Sequence, residues 1–294
     1  MGGPLGGMEY VNFGKAGVKV SRLALGLGFR RQPDADIAER TVEQAIELGI
    51  NFLDCANAYG LNNNGTSLGT SEQVLGRVLK RHLDDLFISS TVYASIGDRP
   101  NDSGGSRYHI LREIDRTLER LDTDHIDLYI LHNYDPNTPV DETLRAMDDL
   151  VTAGKIRYIG VSNHRAWQVM KALWTQDKLG LDPLICVQEP YNLLNREVEA
   201  EMLPAIRSHG FGLMTYSPLA VGLLSGAYIP GEAPPAGSLY ATARADRYET
   251  EMDASARSIL DVLHEVAATH QRTVAQTAIN WVLSHPEVST VITG

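Results

Sequence analysis

Eight short apolar runs, each divided from the next by a segment of helical period, constrain this chain more than any other feature. They lie at residues 23–27, 51–54, 86–90, 126–131, 156–161, 184–188, 212–216 and 288–292. Between them, apolar residues recur every three to four positions. Ile37, Val42, Ala45, Ile46 and Leu48 form one such stripe, Ile110, Leu111, Ile114, Leu118 and Leu121 another, and Leu144, Met147, Leu150 and Val151 a third. An extra helix marked by Ile259, Leu260, Val262, Leu263 and Val266 precedes the one at 274–283. Strands alternating with helices pair in parallel through right-handed crossovers, and closing eight of them into a ring removes both edges. The chain therefore reads as α/β, a (β/α)8 TIM barrel. Its 294 residues suit one barrel of about 250 plus insertions. The competing architecture, an open doubly wound sheet, normally carries a G-x-G-x-x-G turn after its first strand. Leu25-Gly-Leu-Gly-Phe29 lacks that pattern.

Ahead of the first run, residues 9–20 read as a hairpin turned at Gly14-Lys15-Ala16-Gly17. Residues 1–8 form a Gly-rich leader with neither a basic n-region nor an apolar h-region; it is expected to be flexible, with Met8 as an alternative start. The barrel domain then spans 9–294. With 26 basic against 37 acidic residues and a net charge of −11, the chain is poorly suited to nucleic acid or an anionic membrane. A small-molecule substrate and a cytoplasmic setting are expected. Cys55 and Cys186 stand in apolar strand-like runs without metal-ligand spacing and read as reduced core residues, so no metal is expected.

In such barrels chemistry gathers at the C-terminal ends of the strands. That rule selects Gly26, residues 54–59, Thr91, His132, Ser162, Asn163, Gln188, Tyr216 and Ser217. Three long polar loops leave the same face, at 60–69, 95–106 and 230 to about 248, and are expected to act as lids or substrate walls.

At these strand ends a resemblance becomes specific. The motifs are Asn51-Phe-Leu-Asp-Cys-Ala-Asn-Ala-Tyr-Gly60, Gly69-Thr-Ser-Glu-Gln-Val-Leu-Gly76, Asp124-His-Ile-Asp-Leu-Tyr-Ile-Leu-His132 and Gly154-Lys-Ile-Arg-Tyr-Ile-Gly-Val-Ser-Asn163. Thr215-Tyr-Ser-Pro-Leu219 with Gly222-Leu-Leu224 follows. In this order they resemble the aldo-keto reductases, nearest in pattern to the bacterial sugar-reductase and potassium-channel beta-subunit-like branch. The resemblance runs from Met8 to Gly294. It implies NADP(H)-dependent reduction of a carbonyl or sugar-derived substrate, with Tyr59 as proton donor and His132 polarising or orienting the carbonyl oxygen. It also implies that Asp54 pairs with a lysine, and that Ser162, Asn163, Gln188, Tyr216, Ser217, Leu219 and Gly222 line the cofactor.

The sequence departs from the family pattern where cations are expected. Thr91 stands on the position of the catalytic lysine, and the next lysine upstream is Lys80 in the preceding helix. Ala227 and Leu239 replace basic residues common in relatives near the cofactor phosphates. A neutral Thr91 cannot compensate Asp54, whose carboxyl is expected to tend toward protonation. Relatives also continue past the position of Gly294 with adenosine-phosphate contacts and a covering helix, so a C-terminal tail is expected to be missing from this chain. Three readings stay open: a reductase with weakened or lost cofactor binding; a non-redox lyase, dehydratase or isomerase using Tyr59, His132 and Asp54 as acid and base; and a binding or regulatory barrel. The substrate's identity and the oligomeric state are not legible, although the pattern leans toward members acting on nucleotide-linked deoxysugars.

Overall fold

The computed structural model describes residues 7–29, 32, 34–61, 67–82, 84 and 86–294. Most of the leader and the middle of the 60–69 loop therefore lie outside the described residues. A short antiparallel hairpin, β1 (Tyr10–Asn12) and β2 (Lys19–Ser21), comes first. Eight parallel strands follow: β3 (Leu23–Gly26), β4 (Phe52–Ala56), β5 (Phe87–Val92), β6 (Ile126–Leu131), β7 (Ile156–Ser162), β8 (Leu184–Pro190), β9 (Gly212–Tyr216) and β10 (Val288–Thr293). They close in sequence order, the seam being β10 on β3 with Val291 opposite Leu23. The barrel reading holds and the open-sheet alternative falls.

Helices α1 (Ala35–Glu47), α2 (Thr70–His82), α3 (Arg107–Leu121), α4 (Val140–Thr152), α5 (Ala166–Leu179) and α6 (Met202–His209) wrap the outside. After β9 come a one-turn α7 (Tyr248–Glu251), then α8 (Ala254–Thr269) and α9 (Val274–Leu283). Their starts follow from local chemistry. Asp34 accepts from the backbone N–H groups of Asp36 and Ile37, Ser106 from that of His109, and Thr273 with Gln276 forms a reciprocal capping box.

Strand alternation sorts the side chains into two cores. Leu53, Cys55, Ile88, Tyr129, Val161, Val187 and Leu213 face the helices. Phe52, Phe87, Leu128, Ile130, Cys186, Met214 and Ile292 fill the barrel, joined by Phe13 and Val20 from the hairpin. The rings of Phe13, Phe52 and Phe87 meet edge to face at 4.9–5.9 Å, so the hairpin plugs the N-terminal end. Polar side chains are left to the opposite mouth.

Two expectations need correction. The second and third barrel strands run further than their apolar runs: β4 continues past Asp54 to Ala56, and β5 continues past Ser90 to Val92, which puts Thr91 inside the strand. Ser89, Ser90 and Thr91 break the apolar pattern because they serve polar partners on both faces of the strand. The 95–106 loop, expected as a lid or a substrate wall, is stapled down, which narrows that expectation to the wall. Gly104 N–H donates to Tyr93 O (2.8 Å), Gly105 N–H to the Asp135 carboxylate (2.8 Å), and Thr143 Oγ1 to Gly105 O (2.7 Å).

Candidate active site

Register builds the floor of the barrel mouth. In the β4–β5 ladder Asp54 lies opposite Ser89, and Ala56 opposite Thr91. Ser89 Oγ accordingly donates to Asp54 Oδ1 at 2.5 Å. From the far side of the barrel, Gln188 Nε2 donates to Asp54 Oδ2 at 3.2 Å. Both hydrogen-bonding partners are neutral, and the carboxyl is only 4% exposed. Burial pushes its pKa up to about 7 despite the two hydrogen bonds that oppose the shift. Lys80 is no substitute for a cation here, since it pairs with Asp122 on the outer surface.

Gln188 passes the connection onward. Opposite it in the β7–β8 ladder is Ser162, whose Oγ donates to the Gln188 side-chain oxygen (3.1 Å) and backbone carbonyl (2.9 Å). Asn163 follows in a left-handed conformation, φ 56°. Its Nδ2 donates to His132 O (2.8 Å) and Ser162 Oγ (3.1 Å), while its Oδ1 accepts from the Tyr216 hydroxyl (2.7 Å). A continuous chain of hydrogen bonds thus runs from Ser89 through Asp54, Gln188, Ser162 and Asn163 to Tyr216.

On the other wall stand Tyr59, His132 and Thr91. The Tyr59 and His132 rings meet edge to face with centroids 6.1 Å apart. Thr91 Oγ1 lies 3.2 Å from His132 Nδ1. Burial lowers the His132 pKa, which keeps the imidazole neutral at pH 7. When the Thr91 hydroxyl donates to Nδ1, the ring proton sits on Nε2.

The remaining sequence candidates are more scattered. Ser217 O accepts from Asn192 Nδ2 (2.9 Å) and follows Tyr216 directly at the rim. Beyond it, Leu219 caps the start of a tight 3-10 stretch, Ala220–Ser225, which contains Gly222. Leu219 packs against a separate small core containing Leu223, Leu224, Tyr228, Tyr240 and Tyr248. Gly222 has φ 104°, which only glycine adopts without strain. Ala227 is exposed and Leu239 half-buried. Sequence reasoning misses Ser89. The available signal is its place two residues before Thr91, which puts it on the same inward face of the strand.

The motif around Glu72 serves packing. Glu72 is fully buried, accepts from Ser90 Oγ (2.6 Å) and pairs with Arg120 Nε (2.5 Å), while Ser71 Oγ donates to Leu27 O (2.6 Å). Among the described residues no cluster of His, Cys, Asp or Glu could hold a metal ion, and no helix is long and apolar enough to cross a membrane.

Comparison with known proteins gives the chain's family. The model of the Aldo/keto reductase family matches residues 22–294. The chain is 36% identical over 295 residues to an "Uncharacterized oxidoreductase YrpG" of Bacillus subtilis, covering 98% of this chain and 87% of that protein. It is 37% identical over 300 residues to a "Probable voltage-gated potassium channel subunit beta" of Arabidopsis thaliana (98% and 87%), and 32% identical over 300 residues to the "L-glyceraldehyde 3-phosphate reductase" of Escherichia coli K12 (98% and 84%). The chain belongs to the aldo/keto reductase family, a family of oxidoreductase enzymes.

Proposed function

We propose that this protein is an NADP(H)-dependent reductase of a small carbonyl or sugar-derived compound, working at the mouth defined by Tyr59, His132, Thr91 and Asp54. The observation that carries this reading is the convergence of a phenol and a neutral imidazole on one wall, facing hydroxyl and amide groups on the other. Bound nicotinamide would supply a hydride to the carbonyl carbon. Ser162, Asn163 and Gln188 are the donors and acceptors that match a carboxamide, and Tyr216 is the aromatic beside them. The fit is good at that end. At the phosphate end, Ala227 and Leu239 offer no cation, and such charges are bound well only when paired.

Carbonyl reduction also needs a proton at the developing alkoxide. Tyr59 delivers it in this reading, and His132, with its Nε2 proton directed by Thr91 at Nδ1, donates a hydrogen bond to the same oxygen. In this reading Tyr59 acts as the acid. A pure protein sample, NADPH and glyceraldehyde test the proposal through NADPH oxidation. Tyr59→Phe, which keeps the ring and removes the proton, should lower turnover by about 10²-fold, with Tm unchanged. Near-full activity in that variant would discard the site.

A second reading is favoured by one observation. Asp54 is held by two neutral groups and not by a cation, leaving a carboxyl whose pKa lies close to 7. Such a group exchanges protons readily, which suits a lyase, dehydratase or isomerase acting without nicotinamide. Absence of both NADPH binding and NADPH oxidation would move the assignment there.

A further inference from the structure

Tyr59 sits on a turn whose hold is unusual. Asn57, two residues earlier, directly follows β4 and is 1% exposed. Its backbone N–H donates to Thr91 O (3.2 Å), and its side-chain Nδ2 donates to Glu113 Oε2 (3.3 Å) on α3. The amide oxygen, Oδ1, is buried without a hydrogen-bond partner, so the side chain is gripped at its nitrogen end alone. Glu113 is itself fully buried. Its other oxygen accepts from Arg116 Nη1 (2.8 Å), and Arg112 Nε lies 3.6 Å away. The arginine side chains remain 45% and 24% exposed, respectively.

A fully buried carboxylate is costly, and an apolar residue of similar size would serve packing at least as well. The arrangement makes sense when the carboxylate has a directional task. The two arginines balance the charge from the surface side and leave one oxygen aimed at Asn57. Downstream, the backbone of Tyr59 is fixed by its N–H to Ala56 O (3.1 Å) and by Ser71 N–H to its carbonyl (3.2 Å). The Asn57 side chain is thus the turn's hold on α3, beside the backbone bonds to Ala56, Ser71 and Thr91.

We propose that Glu113 is a positioning residue that sets Tyr59 through Asn57. The inference deepens the assignment of Tyr59 as proton donor and rests on it for its kinetic consequence, but not for its structural one. The structural consequence is read by NMR of protein labelled with 13C-tyrosine, the Tyr59 signal being assigned by its loss in Tyr59→Phe. Glu113→Ala should displace or broaden the Tyr59 signal. Glu113→Gln, whose amide oxygen can still accept from Asn57, should restore it. In NADPH-dependent reduction of glyceraldehyde, Glu113→Ala should lower kcat by about 10-fold to 100-fold, the scale of a slightly misplaced group, with KM unchanged and recovery in Glu113→Gln. Asn57→Ala leaves the Glu113–Arg116 pair intact and should reproduce the Tyr59 displacement, which covers the case in which Glu113→Ala does not fold. An unmoved Tyr59 signal in the folded variants, or a Glu113→Gln protein that behaves like Glu113→Ala, overturns the proposal. A displaced Tyr59 signal in a protein without reductase activity sinks the reductase reading and leaves the positioning role standing.

Discussion

At the scale of single residues, the site turns on what replaces a missing charge. Thr91 alone would leave Asp54 buried and uncompensated. Ser89 and Gln188 make that tolerable by donating to both of its oxygens, and burial still raises its pKa to about 7. In the unfolded chain the same carboxyl titrates near 4. Between those values the folded state holds a proton that the unfolded state has lost, so stability is full at low pH and declines as pH rises toward 7. Glu189, buried beside the His164 backbone N–H and likewise raised to about 7, adds to the slope. Both carboxyls therefore lower the urea-unfolding free energy at pH 8 relative to pH 5, while His164, whose pKa burial lowers to about 4, acts in the opposite sense, so the test is the difference between wild type and a carboxyl variant. Each of the two carboxyls contributes about 1.4 kcal/mol for every pH step of one that lies between its unfolded and folded pKa. In Asp54→Asn the decline from pH 5 to pH 8 should be smaller than in wild type by the share of Asp54; an unchanged slope would show that Asp54 is ionised throughout. Thr91→Lys tests the same charge from the other direction. The new cation should ionise Asp54, remove its part of the slope and lower the pKa of Tyr59. NADPH-dependent reduction should then rise if the protein is a reductase, whereas a non-redox enzyme built around a neutral Thr91 should lose its native turnover. Neither change would place Thr91 outside the site.

At the scale of elements, what is legible in the sequence depends on whether one physical demand acts on a segment or two. β6 and β9 are legible to the residue, because polar members such as Asp127 and Tyr216 interrupt an apolar run without shortening it. β5 reads short, because its last residues serve Asp54, Glu72 and His132 with hydroxyls instead of apolar contacts. The 95–106 loop misleads in the opposite sense. Its polar composition fits a mobile lid, yet it is spent on internal bonds to Asp135, Tyr93 and Arg112, which no local pattern reveals. The α2–α3 contact shows a motif whose meaning is steric. A Cβ on Gly76 would stand 2.7 Å from Arg120 O and 2.9 Å from the Leu121 carbonyl, both backbone atoms that cannot swing aside. Gly76→Ala gains up to about 1 kcal/mol of helix propensity but forces the two helices apart at a cost of about 1–3 kcal/mol. It should lower Tm by a few degrees while leaving the 13C-tyrosine signal of Tyr59 in place. A variant more stable than wild type would mean that the helices can separate freely.

At the scale of the whole molecule, the fold is legible because eight repeats of one period over-determine it, and the strand-end rule then locates the mouth. The pairings within that mouth are not legible, since they cross the barrel: Gln188 reaches Asp54 over 134 positions of sequence, and register decides which side chains meet. Cofactor affinity is likewise a property of the assembled mouth. Ser162, Asn163 and Gln188 already satisfy one another and Asp54, so a nicotinamide bound as proposed must replace existing hydrogen bonds and gains only the difference. The phosphate side adds little. Ala227 and Leu239 are neutral, and in the nearby loop Arg244 and Arg247 both face Glu251, while Arg257 pairs with Glu249. NADPH should therefore bind this chain weakly, with Kd on the order of 100 μM. At that affinity, 1 mM NADPH stabilises the folded state by about 1.4 kcal/mol, which corresponds to a Tm increase of about 2–3 °C for a domain of this size. Isothermal titration calorimetry and a thermal melt with and without NADPH measure both quantities. Micromolar or tighter binding, with a correspondingly larger rise in Tm, would show that the phosphates find cations elsewhere on the barrel rim and that the losses at Thr91, Ala227 and Leu239 do not weaken the cofactor site.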